Sequence, residues 1–392
     1  METGMQGQRN AKSKEKPVRH SDVSLWFALM FLVGFGLIMI YSASSYIAFT
    51  DHNGDQTYFL KRQAIAVVLG FVAMLVVSRI PYHFWERFAL FGYMASVVLI
   101  LMVLTPLGIE SHGARRWIAF PGMRSFQLQP AEVAKVAMIL FLAVLVCKMG
   151  SGIKTLKGFV IMLLAPSPIA LLIWKVTDNL SSALIVMAIS VLMIFVASPD
   201  YKKFILAGLL VIAFAVGLVM VIKYTDIFDS FRAGRIRVWL DPESDSENTG
   251  FQTLQALYAI GSGGIRGKGL GQSMQKLNFL PESQNDMIFS IICEELGLFG
   301  ATAIMLMFTI LIWRMMIIAN NAPDLFGGML VVGVIAHIAV QAILNIAVVT
   351  NTIPNTGISL PFISYGGSSV IFLLIEMGLV LSVARGIQYR GN

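Results

Sequence analysis

Ten stretches of roughly 20 residues are almost free of charge, and no other feature of this chain restricts its fold so severely. A helix needs about 20 apolar residues to cross the hydrocarbon of a bilayer, and only helices or closed barrels satisfy their backbone there. The alternating ten-residue strands of a barrel are absent. The runs 23–48, 63–80, 87–108, 131–149, 158–174, 180–198, 204–224, 286–317, 325–350 and 368–386 predict an all-α polytopic bundle of ten transmembrane helices. Composition agrees. Only 13% of the 392 residues are charged and 57% are hydrophobic, where a soluble domain carries about 25% charge. A water-soluble globule, a disordered chain and a disulfide scaffold are excluded.

Ser42, Ala43 and Ser44 imitate a cleavage site after the first run, but that run is too long for the h-region of a signal peptide, so a retained anchor is expected. Pro166 and Pro168 each remove a donor from the fifth span and should break it. Cys147 and Cys293 lie in apolar runs and suggest neither a disulfide nor zinc. The formal charge of +7 has no dense basic stripe, which argues against nucleic acid and for anionic lipid or a phosphate-bearing substrate.

With the N-terminus inside, the tail and inner connections hold 15 Lys and Arg and the short outer connections 6, which predicts both termini cytoplasmic. Residues 1–22, with five basic side chains, read as a disordered cytoplasmic tail, and 23–392 as the membrane domain. Its long extracytoplasmic loop, 225–285, lies between helices 7 and 8. Four polar segments, around 107–130, 175–179, 225–285 and 351–367, then share the outer side, where substrate chemistry is to be sought.

Glu132 and Lys135 are three apart after Pro130 and share a helix face. They serve equally as a pair at the membrane boundary or, with the planar forks of Arg115 and Arg116, as a diphosphate site. Arg235 lies among the arginines that precede an acidic patch. The glycines from 261 to 271 allow a solvated turn or a close backbone approach, but lack Walker spacing. Asp286 stands at the outer lip of the eighth helix, as a cap or as a base for a hydroxyl arriving from outside. On a continuous helix Glu295 faces away from Asp286 and should pair inside the bundle. His337 reads as a hydrogen-bonder within the bundle, since no zinc spacing surrounds it.

In their order along the chain these segments resemble the SEDS family of bacterial cell-wall synthesis, which includes FtsW, RodA and SpoVE. The resemblance rests on Gly36 to Ser44, Arg116-Trp117-Ile118, Gln129-Pro130 with Glu132, Gln252 to Gly264, Gly267 to Gly271, and Leu280-Pro281-Glu282. It continues through Asp286 to Phe289, Glu294 to Gly297, and Pro354 to Ser369. The end of the first helix and the basic tail look more like FtsW or SpoVE than RodA.

The resemblance implies a peptidoglycan glycosyltransferase that polymerises lipid II, an undecaprenyl-diphosphate-linked disaccharide peptide, on the outer face of the plasma membrane. It implies a class B penicillin-binding protein transpeptidase beside it, other division proteins, and a place at the division septum. Asp286 takes the position of the family's catalytic aspartate, as general base on an inverting transfer. Arg115, Arg116, Glu132, Lys135, Gln252, Gln255, Lys268 and Ser364 take substrate-binding positions, with Arg116 and Lys135 assigned to the diphosphate. A divalent cation, Mg or Mn, would aid departure of the diphosphate, but no metal ligand set is visible. The competing readings are a lipid II flippase and a non-catalytic division scaffold.

Overall fold

The computed structural model describes residues 23–111, 113–119, 127–198, 201–224, 231–245 and 249–387. The expected basic tail, 1–22, lies outside them. The chain is a helical bundle in which α1 (Val23–Asp51), α2 (Tyr58–Arg79) and α3 (Tyr82–Met102) follow one another through short turns. A three-stranded antiparallel sheet comes next, in the order β1 (Gly108–Ser111), β2 (Ala114–Ala119), β3 (Gln127–Leu128). Then come α4 (Pro130–Met149), α5 (Leu156–Leu164), α6 (Ser167–Val176), α7 (Leu180–Ala197) and α8 (Tyr201–Tyr224). Two shorter helices, α9 (Phe231–Leu240) and α10 (Thr249–Gly263), precede α11 (Ile288–Asn320), α12 (Leu325–Val349) and α13 (Gly367–Gly386).

Among the described residues nine segments are long and apolar enough to cross a membrane, with α5 and α6 together making one of them. The tenth expected span falls on α3, where Glu86 and Arg87 lie near the start and the apolar part is the shorter Ala89–Met102. The fifth span breaks as its prolines require, α5 ending at Leu164 and α6 beginning at Ser167. The expected all-helical character holds apart from the small sheet, and the described residues of the long loop form α9, α10 and ordered turns.

Contacts between distant connections define the two ends of the bundle. At one end Tyr82 Oη donates to Asp324 Oδ2 at 2.5 Å, Ser382 Oγ donates to Ile80 O at 2.6 Å, and Gly386 lies against Pro323. This is the terminal face, because α13 finishes there. At the other end, the loop face, Tyr365 packs on Phe59, Gln63 Nε2 donates to Ser364 O at 3.3 Å, and Trp239 Nε1 donates to Asn351 O at 3.0 Å.

The helix α11 is not straight. Gly297 adopts φ 63° and ψ −159°, a conformation that glycine alone tolerates without strain, and kinks the helix there. Its first turns are flanked by the segment after α10, through Lys268 N to Glu294 O at 2.9 Å, Gly269 N to Glu295 O at 2.8 Å and Leu298 N to Gly264 O at 3.0 Å. The approach is close enough that a Cβ on Gly267 would sit 2.2 Å from Glu295 O.

Candidate functional site

Asp286 lies in the turn that leads into α11, not in the helix, and the N-cap is Met287, so the expected capping role is not what the structure shows. Glu282 has a positive φ of 56°, which lets the chain fold back so that Asn285 N and Met287 N both donate to Glu282 O, at 3.0 and 3.3 Å. Three elements hold the turn from outside. Ser283 Oγ donates to Ala43 O of α1 at 3.2 Å, Tyr365 N donates to Gln284 O at 2.9 Å, and Asn345 Nδ2 of α12 donates to Asp286 O at 2.7 Å.

The Asp286 carboxyl is half-buried, with Oδ1 sealed from solvent and lacking any hydrogen-bond partner. Burial, and then the negative charge of Glu282, push its pKa up to about 7, against the opposing pull of its own backbone N–H, the positive charge of Arg235 on α9 and the Met287 N–H. Beside the turn opens a groove of about 300 Å³, lined by Arg235, Trp239, Gln252, Pro281, Asn351 and Asn355 among others. Gln252 Nε2 donates to Pro281 O at 3.3 Å and its Oε1 accepts from Asn355 Nδ2 at 2.8 Å, while Arg235 Nη1 donates to Asn355 O at 3.2 Å. Gln252 therefore ties α10 to Pro281 and Asn355 across the groove, and Gln255 lies half-buried one turn further along α10.

The remaining expected site residues separate into other clusters. Arg116 Nε and Nη2 donate to Thr177 O and Asp178 O at 3.4 and 3.2 Å, tying β2 to the turn before α7. Arg115 stands 3.8 Å from Glu110 on an exposed edge. Lys135 is 1% exposed, paired with Glu132 at 2.8 Å and donating to Gln341 Oε1 at 3.2 Å, so it faces the bundle interior. Glu132 Oε2 is buried and has no hydrogen-bond partner.

Lys268 pairs with Glu294 at 2.7 Å, a structural contact between the segment after α10 and α11. Ser364 Oγ accepts from Leu360 N at 2.7 Å and closes its own turn. Glu295 pairs within the bundle as expected, with Lys276 at 2.8 Å and with Ser42 Oγ at 2.7 Å.

Sequence reasoning passed over Gln341, Asn345 and Glu376. The available signal was polar spacing: His337, Gln341 and Asn345 recur every four residues in an otherwise apolar helix. Among the described residues no three His, Cys, Asp or Glu side chains stand together to cage a divalent cation.

Comparison with known proteins bears on this arrangement. The family model FTSW_RODA_SPOVE, described as "Cell cycle protein", matches residues 22–389. The chain belongs to the FtsW/RodA/SpoVE family. Among its relatives in this family, Stage V sporulation protein E of Bacillus subtilis is 39% identical over 370 residues, covering 94% of this chain and 98% of that protein. A protein of Trichlorobacter lovleyi named "Probable peptidoglycan glycosyltransferase FtsW" is 39% identical over 377 residues, covering 95% and 96%.

Two solved structures share the FtsW/RodA/SpoVE fold seen here. A chain from "Structural coordination of polymerization and crosslinking by a peptidoglycan synthase complex" has TM-score 0.75 and 26% identity, covering 94% of this chain and 99% of its own. The rod shape determining protein RodA of Thermus thermophilus has TM-score 0.67 and 26% identity, covering 94% and 98%.

Proposed function

We propose that this chain is a peptidoglycan glycosyltransferase that polymerises lipid II at the outer face of the plasma membrane. Its loop face is extracytoplasmic, both termini are cytoplasmic, and it works at the division septum beside a class B penicillin-binding protein. The names of its relatives support the enzyme class, and the synthase complex among its structural neighbours supports a transpeptidase partner. The observation that carries the chemistry is the Asp286 carboxyl, half-buried beside a polar groove with one oxygen unpartnered and its pKa raised to about 7.

A carboxyl held near neutrality is suited to general base work, because the ionised form is present at cellular pH and remains basic enough to take a proton. Asp286 removes the proton of the acceptor sugar 4-hydroxyl. The freed oxygen attacks the anomeric carbon of the donor from the face opposite the diphosphate, the bond to that diphosphate breaks, and configuration inverts. Undecaprenyl diphosphate leaves with the bonding electron pair. Arg116, whose guanidinium has donors beyond the two that meet Thr177 and Asp178, receives the diphosphate, and Gln252 contributes to the sugar site.

Purified protein with its cognate transpeptidase and labelled lipid II tests this reading. Glycan polymer from the wild type and none from Asp286→Asn is the expected result. Transbilayer movement of lipid II that survives Asp286→Asn, with no polymer from either form, would replace it with a flippase. Inactivity of both forms with intact partner binding would leave a scaffold.

A further inference from the structure

Asp286 Oδ1 has no partner, so the placing of this carboxylate depends heavily on the backbone that carries it. That backbone is held from α12 by a single amide. Asn345, 0% exposed, donates both Nδ2 hydrogens, one to Asp286 O and one to Ile358 O, each at 2.7 Å. The side chain cannot rotate without breaking both bonds. The neighbouring peptide is held in the same way one turn earlier, where Gln341 Nε2 donates to Ser359 O at 3.0 Å.

The orientation of Gln341 is itself fixed. Its Oε1 accepts from Lys135 Nζ at 3.2 Å and faces His337 Nε2 at 2.9 Å, and because an amide oxygen can only accept, His337 Nε2 must carry a hydrogen. His337 Nδ1 meets Glu376 Oε2 of α13 at 2.8 Å and shares one proton with it. One face of α12 thus carries a chain of hydrogen bonds from Glu376 through His337 and Gln341 to Ser359 O, and one turn further on Asn345 ties the adjoining Ile358 carbonyl to the Asp286 turn. On the far side, Gly357 backs the carboxylate: a Cβ there would lie 3.6 Å from Asp286 Oδ2.

We propose that Asn345 is the positioning residue for Asp286, and that Gln341, itself held by His337, steadies the 358–359 backbone to which Asn345 is also bonded. The inference rests on Asp286 being the general base. Asn345 touches no reacting atom in this scheme. It fixes where the carboxylate stands relative to the groove and how much water reaches it. The charged groups acting on that carboxylate are Glu282 from its own turn and Arg235 from α9. The only ionisable side chain of α12 is His337, two turns away, and residues 350–364 contain none.

The test compares Asn345→Ala and Asn345→Asp with the wild type in the complex with its transpeptidase. Displacement of the carboxylate by about 1 Å lowers kcat on the order of a hundredfold. The KM for lipid II changes by no more than about twofold, because no substrate contact is lost. The pH dependence separates positioning from general damage. Alanine opens space for water and moves the acid limb down by about one pH unit, whereas aspartate keeps the volume but loses both donated hydrogen bonds, and its second carboxyl beside the Asp286 turn moves it up.

A second readout needs no turnover. Dicyclohexylcarbodiimide reacts with protonated carboxyls, and the pH midpoint of its attachment to the Asp286 peptide, read by mass spectrometry with Asp286→Asn as blank, should shift in the same opposite directions. Unshifted midpoints in both variants would overturn the proposal, as would a raised KM with wild-type kcat. A wild type that makes no polymer would instead overturn the glycosyltransferase reading, while the labelling would still decide whether Asn345 positions Asp286.

Discussion

Lys276 Nζ lies 2.8 Å from Glu295 Oε1 with both side chains buried, and Ser42 Oγ bonds to the same carboxylate from α1. Three distant parts of the chain meet at this one carboxyl. Removing one partner of a buried ion pair strands the other charge, at a cost of about 3–5 kcal/mol. Glu295→Gln and Lys276→Met should each lower the thermal midpoint of the detergent-solubilised protein strongly. The double substitution should recover most of the loss, and a strictly additive double mutant in the same unfolding assay would contradict the pairing.

Asp286 carries its raised pKa at the expense of stability. Between its unfolded value near 3.8 and the folded value of about 7, the folded chain binds a proton that the unfolded chain has released, so stability falls as pH rises through that window. Asp286→Asn should therefore stabilise the protein at pH 8 by roughly 2–4 kcal/mol while abolishing polymerisation. The gain should fade as pH falls toward 4. Unfolding midpoints measured across that range check the sign, and stabilisation confined to acid pH would contradict it.

A methyl group at the α11 kink has nowhere to go. A Cβ on Gly297 would lie 2.4 Å from Gly267 N, and the backbone there already has φ 63°. Gly297→Ala combines an unfavourable conformation with overpacking against main chain, together about 3 kcal/mol or more. Low yield of folded protein is expected, against normal yield for Gly261→Ala, where no atom lies within 4 Å of the added carbon.

Ser364 separates the structural reading of a conspicuous motif from the substrate-binding one. Its hydroxyl oxygen accepts from Leu360 N inside the turn before α13. Ser364→Ala leaves that buried donor unpaired, a loss of about 1–3 kcal/mol. Thermal unfolding should register it, with KM for lipid II unchanged. A raised KM would return Ser364 to the substrate.

The spans were legible because a helix in lipid must be apolar along its length, and the break between α5 and α6 followed from the two prolines. The position of Asp286 just before the eighth apolar run was legible because that run begins there. What local pattern could not show was who pairs with whom. Lys268 and Glu294 are 26 residues apart, and Ser42 and Glu295 are 253 apart. Periodicity carries no information on such separations. The angular comparison of Asp286 with Glu295 assumed one continuous helix, whereas α11 begins only at Ile288. The sheet at 108–128 was hidden by its brevity, with strands of four, six and two residues.

The kept company of Lys276 also bears on how the chain is made. Translation delivers this lysine 19 residues before the carboxylate that neutralises it, and Ser42 long before either. The segment after α10 must therefore wait, still hydrated, until α11 has emerged from the ribosome and the translocon has received it. Order of synthesis and order of burial part company at this point, and the last membrane helices are what allow an earlier stretch to settle.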